Sequence, residues 1–314
     1  MSMDSSQKPQ SGQVPALPAS GPPALVVLAA GMGSRFGGDK QVAQVGPHGE
    51  TILDYTAFDA RRCGFGEVVL VVRREMQATV AGLVGDRLAR QLPVRYVFQD
   101  TAEPIAGARA AAGRKKPWGT AHALSCALRV LAVPCGVVNA DDWYAPQGIQ
   151  ALASQLARGE AEGCLVAYPL LRTLSTNGAV NRAVCASGDR GELVSIHETT
   201  GIIGGPGGRI LDGAGRELAP PTPVSLNLWG FQPGFYPGFI AAVEAFIRAH
   251  LDETEGECQL PSVVMDGIRQ GRWTMRMVHA EADWCGLTYR ADREAVQTRL
   301  ARAVAEGEYP APLW

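Results

Sequence analysis

Leu25-Val26-Val27-Leu28-Ala29-Ala30-Gly31-Met32-Gly33-Ser34-Arg35-Phe36-Gly37-Gly38-Asp39-Lys40 decides how the chain is read. It opens as a short continuous apolar run, the pattern of a strand buried on both faces of a parallel sheet. The run then breaks into four glycines within eight positions, with Arg35 and Lys40 close behind. Glycine has no Cβ, so backbone N–H groups approach a polyphosphate closely, and the two cations supply positive charge. The dinucleotide pattern G-x-G-x-x-G fails because position 36 is Phe, and no Gly-Lys-Ser/Thr completes a P-loop. A glycine-rich turn with no ligand would have no need of Arg and Lys at its end.

The rest of the composition narrows the class. A chain of 314 residues with 46% hydrophobic and 19% charged side chains is that of a soluble globular protein with a sizeable core. A formal charge of −2 argues against a nucleic-acid partner. The cysteines, at 63, 126, 135, 164, 185, 258 and 285, form no C-x-x-C pair, which predicts reduced thiols and a cytoplasmic protein. No apolar run approaches the length needed to span a bilayer. Met1 to Pro23 is rich in Ser, Pro, Gln and Gly without a signal-peptide core, and reads as a disordered leader.

Strands and helices alternate after the glycine loop. Thr51 is placed to cap a helix through Ala60 that Gly64 ends, and Glu67–Val72 is a second apolar strand. A helical stretch near Glu75–Leu92 leads to a third strand, Val94–Phe98. Gln99 to Trp118 is a long loop; a helix follows to about Val130, then a strand at Pro134–Asn139. A helix at Pro146–Ala157 and a strand at Cys164–Tyr168 close the repeating part. The second half is mixed: strands at Asn177–Cys185, Leu193–Thr199, Val224–Phe231 and Trp273–Val278, and helices at Pro237–His250, Leu260–Gln270 and Asp292–Ala305. The polar stretch 201–223 reads as a hairpin excursion. The expected fold is α/β, a Rossmann-like three-layer α/β/α arrangement around a mixed, mostly parallel sheet. Residues 24–314 read as a single domain, with a nucleotide-binding half at about 24–170 and an acceptor-binding half at about 171–314.

A-A-G-x-G-S-R-F-G-G-x-K resembles the signature loop of the nucleotidyltransferases that join an NTP to a sugar 1-phosphate or a similar phosphate. Further motifs fall in the family's order along Leu25 to Phe231. The resemblance implies a Mg²⁺-dependent nucleotidylyltransferase of the NDP-sugar pyrophosphorylase type, acting on an NTP and a sugar 1-phosphate, with no membrane partner. It places Arg35 and Lys40 on the phosphates as the catalytic pair, and Ala29, Ala30, Gly31, Gly33 and Ser34 in the nucleotide loop. Pro117-Trp118-Gly119-Thr120-Ala121 resembles the family's P-x-G-T-A element, which carries base recognition to Gln99, Gly119 and Thr120. A helix cap is the competing role for Thr120.

Asp141 and Asp142 end a buried strand, where open α/β sheets place ligands. In the family the Asp of Ala-Asp binds the metal, which favours Asp141; Asp142 would instead cap the next turn. Asn227, in Ser225-Leu226-Asn227-Leu228-Trp229, resembles the second metal ligand, with a loop-satisfying role as the alternative. Glu198 resembles the Glu that holds sugar hydroxyls, but Thr199 and Thr200 stand where the family has Lys. Asn177 and Arg182 are the nearby candidates on the acceptor side. That departure keeps open a nucleotide-binding regulatory module without turnover. The compact Gly37-Gly38-Asp39-Lys40 loop is closer to enzymes that transfer to a non-sugar phosphate of the molybdopterin type, while the long second half favours the sugar branch. Arg114-Lys115-Lys116 is either a phosphate-attracting loop or a solvated charge run, and Trp284 to Tyr289 reads as an aromatic core strand.

Overall fold

A computed structural model describes residues 21–30, 44–100, 114, 116–175, 177–287 and 291–314. Four parallel strands form its nucleus: β1 (Ala24–Leu28), β2 (Glu67–Val72), β3 (Val94–Phe98) and β4 (Cys135–Asn139), in the spatial order β3-β2-β1-β4. The apolar runs of β1 and β2 are continuous because both faces are covered, whereas edge strand β3 carries the exposed Arg95. Leu25, Val27, Val68 and Leu70 enter one core cluster, and Val26, Val69 and Val71 enter the other.

The first face carries α1 (Ile52–Arg62), and α1 begins as its sequence dictates. Thr51 and Asp54 form a reciprocal capping box, with the Thr51 N–H donating to Asp54 Oδ2 at 2.7 Å. The expected helical stretch after β2 runs over residues 74–88 but changes its hydrogen bonding along the way. It consists of a 3₁₀ turn (Arg74–Met76), α2 (Gln77–Val80), a π turn (Ala81–Gly85) and α3 (Asp86–Leu88) in unbroken succession. Gly82 and Gly85 are poor helix formers, and a Cβ on Gly85 would meet the Tyr96 hydroxyl at 1.9 Å.

The second face carries α4 (Thr120–Leu128), and a two-residue strand β5 (Asp142–Trp143) follows β4. Helix α5 (Ala145–Arg158) returns to the first face, and β6 (Gly163–Pro169) follows it. Strands β7 (Val180–Ser187) and β8 (Leu193–Gly204) form a long antiparallel pair. The excursion at 201–223 contains the expected hairpin, β9 (Ile210–Leu211) with β10 (Glu217–Leu218). Strand β11 (Pro223–Phe231) runs antiparallel between β4 and β6, and its first residues also pair with β7. Helices α6 (Tyr236–Ala249) and α7 (Leu260–Arg269) cover the second face. Strand β12 (Met275–His279) adds parallel to β6, and β13 (Cys285–Gly286) pairs with β5. Helix α8 (Asp292–Ala305) packs on the first face.

The chain's end locks onto α1. The Tyr309 hydroxyl donates to Asp59 Oδ2 at 2.7 Å and accepts from Trp143 Nε1 at 2.9 Å, while its ring lies edge-on to Tyr55. Burial pushes the Asp59 carboxyl up to about 7, against the opposing pull of Arg62 and of the Tyr309 hydrogen bond. Folded Asp59 therefore keeps a proton that the unfolded chain releases near pH 4. Its contribution to stability is full below that value and is lost as pH rises to about 7. Urea midpoints measured at pH 5 and pH 7.5 should fall with pH in the parent protein, and fall less in Asp59→Asn.

Candidate functional site

The ends of β1, β2, β3 and β4 lie on one edge of the sheet, and that edge gathers most of the described candidates. Ala29 and Ala30 leave β1 there, both buried; the Ala29 N–H donates to Val71 O at 2.9 Å, and Ala140 N donates to Leu28 O at 3.3 Å. Gly31, Gly33, Ser34, Arg35 and Lys40 lie outside the described residues.

Gln99 extends one residue beyond β3 and is buried, only 4% exposed. Its Nε2 donates to Gly119 O at 2.9 Å, which joins two predicted base-reading residues directly. Gly119 adopts φ +91°, and a Cβ there would meet Cys258 O at 2.6 Å, so glycine is required on both conformational and steric grounds. Around it the Cys258 N–H donates to Trp118 O at 2.7 Å, and Ala121 N donates to Cys258 O at 3.0 Å.

Thr120 does not cap its own helix, because Gly119 holds the N-cap position of α4. Its hydroxyl instead accepts from Leu260 N at 2.9 Å, at the start of α7, and donates to Gln259 Oε1 at 3.3 Å. A helix start read from its own sequence says nothing about a second helix brought alongside by the fold.

Arg114 lies across the Trp118 ring, its Cζ 3.4 Å from the ring centroid. Its guanidinium donates to Glu253 O at 2.8 Å, to Lys116 O at 3.0 Å, and to the carbonyls of Pro117 and Gly256. Burial lowers its affinity for the proton, partly offset by Glu255, Glu253 and Glu257. Lys116 pairs with Glu257 at 3.1 Å and Glu255 at 3.6 Å. Arg114 and Lys116 thus bind the chain's own acidic segment; Lys115 lies outside the described residues.

Beyond β4, Asp141 is half-buried and its carbonyl accepts from Leu287 N at 3.2 Å. Asp142 turns inward and caps no turn; its Oδ2 accepts from Asn139 Nδ2 at 2.8 Å and lies 3.3 Å from the Tyr144 hydroxyl. Burial and then the Asp141 carboxylate push Asp142 well above the usual carboxylate range, opposed by Asn139, Arg182 and Tyr144. A Cβ on Gly286 would meet Asp142 Oδ1 at 2.4 Å. The Trp284–Leu287 segment therefore walls the aspartates, a role its sequence did not signal.

Asn227 stands at an irregularity in β11, whose register against β6 shifts between Ser225 and Trp229. Its φ is +61°, rare for a residue other than glycine, so the simple alternation expected from sequence is interrupted. The Asn227 N–H donates to Ser225 Oγ at 3.3 Å. The Tyr144 hydroxyl joins this bulge to the end of β4, accepting from Asn139 N at 3.0 Å and donating to Leu226 O at 2.9 Å.

Glu198 is exposed on β8 and shares a cross-strand row with Ala183 and Ser225. Asn177 is drawn elsewhere, its amide donating to Asp292 Oδ1 at 3.0 Å at the start of α8. Arg182 is buried over the Trp284 ring and donates to Thr173 Oγ1 at 3.2 Å, to Thr173 O, and to Asn181 O at 2.9 Å. No described cluster of three or more His, Cys, Asp or Glu side chains has metal-holding geometry. The Asp141 carboxylate and the Asn227 amide oxygen are hard donors. Two of them suit a divalent cation that takes its remaining ligands from phosphate and water.

Residues 25–172 match the MobA-like NTP transferase domain. The matched stretch holds β1 through β6, and so the whole parallel edge described above. A comparison with curated proteins gave no match. Among solved structures, the inositol-1-phosphate CTP transferase of T. maritima is similar (TM-score 0.58, 12% identity, 90% of this chain and 97% of that chain). So is a Bacillus anthracis protein assigned as a glucose-1-phosphate thymidylyltransferase, solved with a sucrose (TM-score 0.58, 10% identity, 88% and 95% covered). HddC from Yersinia pseudotuberculosis gives a TM-score of 0.54 at 12% identity, over 88% and 98% of the two chains. At such identities the likeness is one of fold: the NTP transferase domain and the mixed sheet that continues it.

Tyr144→Phe should leave the half-buried Asn139 N–H and the Leu226 carbonyl without their shared partner. The expected loss is about 1–3 kcal/mol of stability, read from urea unfolding.

Proposed function

We propose that this chain is a Mg²⁺-dependent nucleotidylyltransferase that transfers NMP from an NTP to a sugar 1-phosphate, releasing pyrophosphate and forming an NDP-sugar. The observation that carries the reading is the convergence on one sheet edge. Ala29-Ala30, the Gln99–Gly119 pair, Asp141 and the Asn227 bulge meet there inside an NTP transferase fold. In this reading residues 24–314 act as one domain, with the nucleotide held by about 24–170 and the acceptor by about 171–314.

The reaction forms a bond from an acceptor phosphate oxygen to the α-phosphorus, and the bond to the bridging oxygen of pyrophosphate breaks. It demands positioning and charge neutralisation rather than covalent help from the protein. Arg35 and Lys40 grip the phosphates. The loop from Ala29 to Ser34 cradles them, and Gln99, Gly119 and Thr120 hold the base. Asp141 and Asn227 are the residues that would hold Mg²⁺, which when bound neutralises charge on the phosphate oxygens. Glu198 holds acceptor hydroxyls, from the same cross-strand row as Ser225. The seven cysteines form no C-x-x-C pair, which supports a reducing, cytoplasmic setting.

A second reading keeps the chemistry and changes the acceptor to a non-sugar phosphate. It is favoured by the Thr199-Thr200 departure after Glu198 and by the enclosure of Arg182 among its own backbone carbonyls. Each NTP mixed with Mg²⁺ and a panel of sugar 1-phosphates should release pyrophosphate for one pair above the rest. NTP binding without release from any sugar 1-phosphate would remove the sugar reading, and no release with other phosphates either would leave a binding module. Lys40→Ala and Asp141→Asn should each lower turnover by roughly a hundredfold or more in folded protein. A variant that retains activity takes its residue out of the site.

A further inference from the structure

We infer that His122 is a positioning residue that makes Gln99 read the nucleotide base through Oε1 alone, as a hydrogen-bond acceptor. The inference rests on the proposal that Gln99 faces the base. A primary amide has two N–H groups at one end and a carbonyl oxygen at the other. Gly119 O is only an acceptor, so its 2.9 Å contact fixes which end of the Gln99 amide is nitrogen. The same Nε2 lies 3.3 Å from His122 Nδ1, and this contact takes the second N–H.

That arrangement fixes the histidine as well. Nδ1 must carry the lone pair, so the ring proton sits on Nε2, which lies 3.5 Å from Cys126 Sγ. Burial, followed by the Arg129 and Arg114 charges, holds His122 down to about 4, so the neutral tautomer persists at ordinary working pH. Among the described residues none donates to Gln99 Oε1. Gln99 is enclosed by the end of β3 and the start of α4, so the amide has little freedom to turn over.

The chemical consequence concerns which bases fit. A free glutamine side chain pairs with a base through both ends of its amide, donating and accepting at once. With both N–H groups held, Gln99 offers one acceptor. It takes a ring imino or an exocyclic amino N–H, and it repels a carbonyl oxygen or a ring-nitrogen lone pair at the same place. Cytosine and uracil differ in this way at neighbouring edge atoms, and so do adenine and guanine. Gln99 therefore discriminates between the amino base and the keto base of one ring size.

The test compares kcat/KM for the preferred NTP with that for its amino or keto counterpart of the same ring size, in full-length protein. His122→Phe removes the Nδ1 acceptor and frees one Gln99 N–H. The ratio should fall about tenfold, through KM rather than kcat. His122→Asn offers its Oδ1 where Nδ1 stood and should restore most of the discrimination, and Gln99→Leu should abolish it. Circular dichroism and thermal melts show that each variant is folded, and His122→Asn carries the comparison if His122→Phe is not. An unchanged ratio in folded His122→Phe overturns the inference, and so does a ratio lost equally in His122→Asn. If no pair of substrates releases pyrophosphate, the proposed activity fails. The same ratio is then read from equilibrium NTP binding, where loss in His122→Phe supports the inference, and an unchanged ratio or no binding of any NTP overturns it.

Discussion

One antiparallel strand inserted between two parallel sets is the constraint on which the site depends. Strands β3, β2, β1 and β4 end on one edge, and β6 with β12 continue the sheet on the far side of β11. Because β11 runs the other way, its early residues lie level with the ends of its parallel neighbours. Trp229 pairs with Val137, so Asn227, two residues earlier, falls beside the end of β4 and its aspartates. An all-parallel sheet would have carried that residue to the opposite edge.

The geometry at that edge is held by buried polar groups rather than by apolar packing. The Tyr144 hydroxyl joins the end of β4 to the bulge of β11, and the Tyr168 hydroxyl donates to Tyr144 O at 2.7 Å beneath it. Such groups are costly when unpaired and directional when paired, so they select one register where apolar contacts tolerate several. The positive φ of Asn227 persists in this setting. A second polar unit, Gly119 with Gln99 and His122, does the same on the other side of β1.

Much of the fold was legible in the chain alone. Strands β2 and β3 and helix α8 occupy the expected residues, because continuous apolar runs and clean helical spacing leave few alternatives. The helical stretch expected near Glu75–Leu92 is present over residues 74–88, but its hydrogen bonding changes at Ala81–Gly85, where Gly85 lies against Tyr96 of a neighbouring strand, a contact no local pattern reveals. The motif pointed to Gln99, Gly119 and Thr120, and the fold brings Gln99 and Gly119 into contact, yet Thr120 caps α7 rather than α4. Asn139, Tyr144 and His122 carried no signal at all. A buried Tyr or His is ordinary core material in a sequence, and only a partner distant in the chain gives it a task.

The sequence by itself determined the alternation of strands and helices, the parallel character of the first four strands, and the chemistry available at their ends. Those properties follow from local periodicity and residue type. Only the tertiary structure decided which carboxylate turns inward, where Asn227 comes to rest, and which groups hold the Gln99 amide nitrogen. The Gln99 contacts join segments distant along the chain, and the place of Asn227 depends on a backbone angle set by a bulge. Asp142 is held by near neighbours whose own positions the packing around Leu226 and Gly286 fixes. None of these is encoded in the spacing of residues.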